Sequence, residues 1–451
     1  MGLGRRRESR QQELWIAADQ LGRTPRHVFY EKLNRVLAQA KFDAWVEARC
    51  RPYYAEEGRR SIPPGVYFRM LLVGYFEGID SQRGIAWRCA DSRSLQSFLG
   101  YGLTESTPDH SSLTKIRERL PVELYAEVFQ FVLKLVEQHK LLTATVVGVD
   151  STTLEANAAM KSIVRKDTGE NWNEYVTRLM REEGVIEPDE APSAEELRRF
   201  DRGRKDKKVS NDEWQHPHDP EAQIAKLKDG RTHLAYKAEH VVDLQTEAIL
   251  AAEVYAANAA DTATLVPSLQ QAQANVSATE SGRTIEKAAA DKGYHAADTL
   301  VACQEFDLLG VKTYIPEPRG RRRWTDKTEE QKAAVLQNRA RTQRAYGKRL
   351  QRKRSELVER SFAHVCDTGG SRRSWLRGLT NVRKRHLVAA AAHNLGLILR
   401  KLVGAGKPRA FHDLLRALAT LDFAQVTRRS MLSNLYAANL SHPLPTVLAT
   451  R

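Results

Sequence analysis

The sequence is short of the features that mark several protein classes. Its 451 residues hold four cysteines, Cys50, Cys89, Cys303 and Cys366. They are far apart and form no Cys-x-x-Cys pair, which argues against a disulfide framework or a thiolate zinc site and suits a reducing cytoplasm. The most apolar early stretch, Val66 to Phe76, is interrupted by Arg69 and is too short to span a bilayer, so no membrane association is expected. The amino terminus, Met1-Gly2-Leu3-Gly4-Arg5-Arg6-Arg7, has no apolar run behind it and does not read as a secretory signal. Acids are outnumbered: 56 Asp plus Glu stand against 71 Lys plus Arg, for a net charge of +15. That excess favours a polyanionic partner, nucleic acid before an anionic membrane surface.

What is present falls into four stretches. Residues 1–30 form a basic, polar tail. Residues 31–140 read as helical: Pro63-Pro64 can open a helix, and Leu71, Leu72, Tyr75 and Phe76 recur at helical spacing. Thr107-Pro108-Asp109 reads as a further helix start, and that helix carries Lys115, Arg117 and Arg119. With the helix before the turn Gly100-Tyr101-Gly102 it suggests either a helix-turn-helix or a helical bundle with a charged outer face. These three cations are candidate DNA contacts. A different texture fills residues 143–403. Strands are expected over 145–149, 233–242, 248–254, 285–290 and 311–315, with helices over 261–273, 296–303 and 386–402. A polar insertion spans about 155–230, with a helix near Trp172 to Glu183. The order is a hairpin followed by βαβα, a mixed α/β sheet flanked by helices. Residues 404–451 read as a helical tail.

Two aspartates stand at strand ends. Asp150 follows Thr145-Val146-Val147-Gly148-Val149, and Asp291 follows Ile285 to Ala290 on a strand expected to run parallel to the first. Ligand sites in such sheets lie off the carboxyl ends of the strands. Two carboxylates there repel unless a cation joins them, and an all-oxygen donor set selects Mg²⁺ or Mn²⁺. A helix glutamate, Glu359 or Glu356, would complete the set. Alone, each acid reads as a turn former, a cap or a solvated helix residue. Together with a flanking basic run they suit phosphoryl transfer on DNA. That run comprises Arg321, Arg322 and Arg323, then Arg339, Arg341, Arg344, Lys348, Arg349, Arg352, Lys353 and Arg354, the second group without an intervening acid.

These segments resemble bacterial insertion-sequence transposases with an RNase H-like (retroviral-integrase-like) DDE domain. Val147-Gly148-Val149-Asp150-Ser151-Thr152 is similar to the first-aspartate strand of that family. Ala289-Ala290-Asp291-Lys292-Gly293-Tyr294 is similar to its second-aspartate segment, and Val358-Glu359-Arg360-Ser361-Phe362 to its glutamate segment. Leu376-Arg377-Gly378-Leu379, Ala392-His393-Asn394-Leu395 and the upstream stretch Ser106 to Leu120 add to the likeness, which covers roughly residues 60–400. It implies an RNase H-like fold and an N-terminal helical domain that binds DNA ends. The implied activity is metal-dependent strand cleavage and strand transfer at the ends of a mobile element, with Asp150, Asp291 and Glu359 holding two Mg²⁺ ions. The implied partner is double-stranded DNA, bound by a homodimer in a bacterial cytoplasm, in association with the nucleoid. Lys348, Arg349, Arg352, Lys353 and Arg354, with Arg321 to Arg323, would contact phosphates. A DNA-binding protein without chemistry and a stand-alone nuclease on the same fold are the competing readings.

The family's Tyr-x2-Arg-x3-Glu-x6-Lys signature is not kept around Glu359, where Arg352, Ser355 and Cys366 occupy the other three positions. Phe362, three residues after Glu359, favours it over Glu356. The loop His216-Pro217-His218-Asp219 reads as structural, Asp243 as a turn former and His393 as a core histidine. Trp172, Trp214 and Trp324 could stack on an exposed base but are expected to be partly buried.

Overall fold

A computed structural model describes residues 25–58, 61–102, 104–205, 210–227, 230–305, 310–320 and 324–410. The expected tails therefore lie largely outside the described residues, as do Arg321, Arg322 and Arg323.

Seven helices come first: α1 (Pro25–Gln39), α2 (Phe42–Cys50), α3 (Pro64–Glu77), α4 (Gln82–Ala90), α5 (Arg93–Leu99), α6 (His110–Arg119) and α7 (Val122–Gln138). Their starts follow from local chemistry. Pro64 occupies the first turn of α3, and the Asp109 side chain caps α6 by accepting from the Ser111 amide at 2.8 Å. The link from α5 to α6 covers residues 100–109, longer than the three or four residues of a tight helix-turn-helix.

The second part is built on a six-stranded mixed sheet. Strand β1 (Val146–Glu155) leads into an insertion that carries β2 (Val164–Arg165), α8 (Trp172–Glu182), α9 (Ala194–Gly203), β3 (Trp214–Gln215) and β4 (Gln223–Lys226). Val176, Met180 and Leu197 give α8 and α9 a small core of their own. Then come β5 (Thr232–Asp243), β6 (Ile249–Ala256), α10 (Asp261–Ser277), β7 (Lys287–Ala290), α11 (Ala297–Glu305) and β8 (Lys312–Tyr314). Helices α12 (Glu329–Gln343), α13 (Ala345–Phe362) and α14 (Leu379–Val403) are the last elements among the described residues. The sheet order is β4-β5-β1-β7-β8, and β6 pairs with β5. Strand β5 pairs antiparallel with β4, β6 and β1, whereas β7 runs parallel to β1 and β8 parallel to β7. Central antiparallel strands followed by parallel βαβα units, with helices on both faces, make an RNase H-like fold.

Two sequence boundaries shift. Strand β1 does not stop at Asp150 but runs on to Glu155, because β5 pairs with it as far as Glu155↔Ala235. Helix α14 begins at Leu379 rather than His386.

The two parts share a single hydrophobic core that runs from Phe29 to Ala405. Helix α14 is its hub, packing on α3 and α7 on one side and on β6 on the other. The stretch Leu379–Ala410 has the length and composition of a membrane span, but 72% of its most apolar window is buried inside the protein. Asn394 pins α14 to the sheet: its amide accepts from Ile249 N at 3.0 Å and donates to Ile249 O at 2.8 Å. The Ala392-His393-Asn394-Leu395 segment is thus a structural clamp.

Candidate active site

The parallel register of β1 and β7 matches Val149 with Ala290. The next residues are Asp150 and Asp291, so the two aspartates leave adjacent strands at the same level. Beyond this point β7 turns away through a 3-10 turn, Lys292–Tyr294, while β1 continues. Asp291 therefore sits at a true strand end, and Asp150 at the level where its neighbour departs.

The glutamate helix is brought in by a glycine. Gly148 lies on the same face of β1 as Asp150, two residues earlier. A Cβ there would fall 2.8 Å from Leu244 Cδ2, 2.9 Å from Val358 Cγ2 and 3.0 Å from Arg354 Cγ. Only glycine lets α13 lie this close. Val358 and Arg354 are spaced by one helical turn, and Glu359 follows Val358 directly.

The electrostatics carry the mark of this proximity. Burial pushes the Asp150 carboxyl up, and the Asp291 and Glu359 carboxylates push it further; Arg354 and the Ser151 amide pull the other way. Arg354 donates to Asp150 Oδ2 at 2.5 Å, and Ser151 N donates to Oδ1 at 2.8 Å. The Arg354 side chain is 10% exposed, which corrects the expectation that it contacts DNA phosphates: it is turned inward as the counter-ion of Asp150. Glu356 points elsewhere. It is exposed and pairs with Arg360, one turn on, at 2.5 Å. Glu359 is exposed too and accepts from Ser355 at 3.1 Å. Among the described residues no group of three or more His, Cys, Asp or Glu side chains is already arranged as a metal cage. Asp291 and Glu359 are near enough to act electrostatically on Asp150, whose carboxylate is engaged by Arg354.

Sequence reasoning missed the layer behind the Asp291 turn. Lys237 and Glu239 stand on β5, facing α10. Lys237 Nζ lies 2.6 Å from Asp261 Oδ1 and 3.5 Å from Glu239 Oε2. Glu239 is fully buried and accepts from Thr264 at 2.7 Å and from the Tyr294 hydroxyl at 2.8 Å. Burial, then Glu239, keeps the Tyr294 hydroxyl protonated and donating. Asp261 closes the arrangement: a Cβ on Gly293 would come 2.5 Å from its Oδ2. The tyrosine and glycine of the Asp-Lys-Gly-Tyr segment thus hold the turn that presents Asp291. Two charged residues at alternate positions in the middle of a buried strand, Lys237 and Glu239, were the available signal.

The other candidates separate into outer and inner groups. Lys348, Arg349, Arg352 and Lys353 are exposed on α13, upstream of Glu359, and Lys115 and Arg119 are exposed on α6. Arg117 is half-buried and turned toward α14 and α7. Asp219 is fully buried, accepts from the Tyr236 hydroxyl at 2.5 Å and from Gly378 N at 3.0 Å, and so ties the histidine loop to the entrance of α14. Asp243 accepts from Thr143 N, Ala144 N and Gln245 N, which fixes the start of β1 as well as its own turn. His393 is buried, and so is Trp214. Trp172 and Trp324 are partly buried against the core. The four cysteines are free and buried.

An RNase H-like sheet with acids on β1, at the end of β7 and on a following helix is the architecture of nucleic-acid phosphoryl transferases. Comparison with known families agrees. A family model described as "Transposase domain (DUF772)" matches residues 19–119, and one described as "Transposase DDE domain" matches residues 211–395. No curated protein and no solved structure matches the chain. The chain belongs to the insertion-sequence transposases with a DDE domain, enzymes that act on DNA and generally depend on divalent metal ions. Asp291 and Glu359 fall within the matched DDE segment; Asp150 lies before it.

Proposed function

We propose that Asp150, Asp291 and Glu359 are the catalytic carboxylates of this transposase and that they hold two Mg²⁺ ions, with Mn²⁺ able to substitute. The observation that carries this reading is the shared level of Asp150 and Asp291, set by the Val149↔Ala290 register, with α13 pressed onto Gly148 beside them. The donor set suits the ions: three carboxylates, no thiolate and no imidazole. When bound, the ions supply Lewis-acid stabilisation of the phosphoryl oxygens and lower the pKa of the attacking hydroxyl. The protein's part is to hold the carboxylates on rigid elements and to orient Asp291 through Tyr294 and Glu239.

The exposed cations Lys348, Arg349, Arg352 and Lys353 lie one to three helical turns from Glu359, within about 17 Å along the helix axis. We assign them to DNA phosphates flanking the scissile bond, and Lys115 and Arg119 to the recognition of an element end. Such contacts give affinity and register rather than base selectivity. Two element ends must be brought together, which favours a homodimer on DNA, in association with the nucleoid.

The test uses the full chain with Asp150→Asn and Asp291→Asn. Both variants are expected to bind element-end DNA as the parent does, with cleavage and strand transfer of pre-cut ends lost. Cleavage at the parent rate by either variant would remove that aspartate from the triad.

A further inference from the structure

A cavity of about 260 Å³ lies where the N-terminal helices meet the catalytic part, bounded by α3, α6, α7, residues 369–376 and α14. Its wall combines flat rings with cations. Tyr67 and Tyr125 are buried and bond each other through their hydroxyls at 2.6 Å, so their polar atoms are satisfied. Trp375 stands at the rim, 45% exposed.

Three cations share this space. Arg385 is engaged, donating to the main-chain oxygens of Asp80 and Gly370. Lys384 is 5% exposed; its Nζ donates to a carbonyl, Arg117 O, at 3.0 Å and lies 5.6 Å from the centre of the Tyr125 ring. Arg117 is the outlier: its Nε and Nη1 are shut off from solvent and have no hydrogen-bond partner. Asp80 is the one carboxylate on the wall, where it acts on Arg385, and Glu123 and Glu118 act on Lys384 from outside the wall. Leaving buried charged donors without a partner costs folding free energy. Burial, and then Arg117 itself, loosens the hold of Lys384 on its proton. An anion entering the cavity would relieve all of this at once.

The rim is tethered to the active-site strand. Ser374 N donates to Glu155 O at 2.9 Å, and Arg372 donates to Thr152 Oγ1 at 3.0 Å. Glu155 is five residues beyond Asp150, about 17 Å along an extended strand. The volume is below that of a drug-sized pocket and has no room for a duplex. Aromatic surfaces beside unpaired cations are what a single base and its phosphate require.

We propose that this cavity receives one nucleotide unit, its phosphate on Arg117 and Lys384 and its base against the Tyr67, Tyr125 and Trp375 rings. The proposal rests on the transposase reading for its source: an unpaired nucleotide at a DNA end. A free mononucleotide offers the same chemistry.

The experiment uses the full chain and a hairpin duplex ending in one unpaired, 5′-phosphorylated 2-aminopurine. Binding should quench the 2-aminopurine, and this end should bind about tenfold more tightly than a blunt one. Both effects should be lost in Trp375→Ala and Arg117→Gln, while millimolar dTMP should leave the protein's melting temperature unchanged. Should dTMP itself bind, with the same dependence on Arg117, the cavity stands and its ligand is a free nucleotide. Unchanged quenching and unchanged dTMP response in both variants would overturn the site. If Arg117→Gln proves unstable, Trp375→Ala on the exposed rim and Lys384→Met decide in its place. Asp150→Asn should keep the quenching whatever it does to cleavage, so the cavity and the carboxylate triad can fail separately.

Discussion

Arg354 donates to Asp150 across 2.5 Å, from a helix to a strand 204 residues earlier in the chain. This pair is the physical link between the acid of β1 and the helix that carries Glu359. It also sets a cation against Asp150, on which Asp291 and Glu359 act with the opposite sign.

Replacing Arg354 with glutamine should therefore unbalance the site. Removing one partner of a largely buried pair costs about 3–5 kcal/mol, and the partial exposure of Asp150, 23%, reduces this to about 1–3 kcal/mol. Millimolar Mg²⁺ or Mn²⁺ should restore part of the loss and raise the melting temperature more in Arg354→Gln than in the parent. Equal metal responses in the two proteins would show that Arg354 and the divalent ion do not compete for the same carboxylate.

The two glutamates of α13 are separable by their neighbours. Glu359→Gln should lower strand cleavage by several orders of magnitude with the melting temperature nearly unchanged. Glu356→Gln removes only an exposed i,i+4 pair with Arg360, and should cost less than about 0.5 kcal/mol and leave cleavage within severalfold of the parent. The opposite ranking in a cleavage assay would move the third carboxylate to Glu356.

Lys237 sits between two acids, one of them fully buried. Lys237→Met should destabilise the protein by about 3–5 kcal/mol, because Glu239 is left charged and unpaired. Adding Glu239→Gln should recover a substantial part of that loss. Urea denaturation of the parent, the two single variants and the double variant measures the coupling directly. Strictly additive effects would mean that the two side chains do not act as a pair.

Acid should weaken the fold through its buried histidines. The imidazoles of His386 and His393 are pushed down to about 4 and about 3, each chiefly by burial, then by Arg385 and by His364 respectively. His240 is lowered as well, by burial and by those two histidines. The folded state keeps these rings neutral, while the unfolded chain takes up protons near pH 6.5. Their contribution is thus complete above pH 6.5 and is lost as the pH falls from there toward 4, at up to about 1.4 kcal/mol per pH unit for each ring. Urea midpoints at pH 7.5 and pH 5 test this; a flat profile would mean that the histidines are protonated in the folded protein.

The architecture and the strand positions of Asp150 and Asp291 were readable in the sequence because they rest on local signals. The β-branched run before Asp150, the alanine run before Asp291 and the Asp109 cap each declare themselves within a few residues. What stayed hidden depends on pairing. The extension of β1 to Glu155 is imposed by β5, some 80 residues later, on polar residues that show no strand alternation. Arg354 lies in an unbroken basic run, and nothing in its immediate neighbours distinguishes the one arginine that turns inward. The contacts of Lys237 with Asp261 and of Tyr294 with Glu239 join segments whose approach is set by the sheet register alone.

Because α14 is packed from both sides, the seam between the N-terminal helices and the sheet has no surface of its own. A chimera cut between α7 and β1 would set foreign side chains against Val388 to Leu399, residues fitted to two partners at once. On the proposed role of α6, a change of DNA-end preference is reached by point substitutions on its outer face, because exchanging the helical part whole would dissolve the core it shares with the sheet.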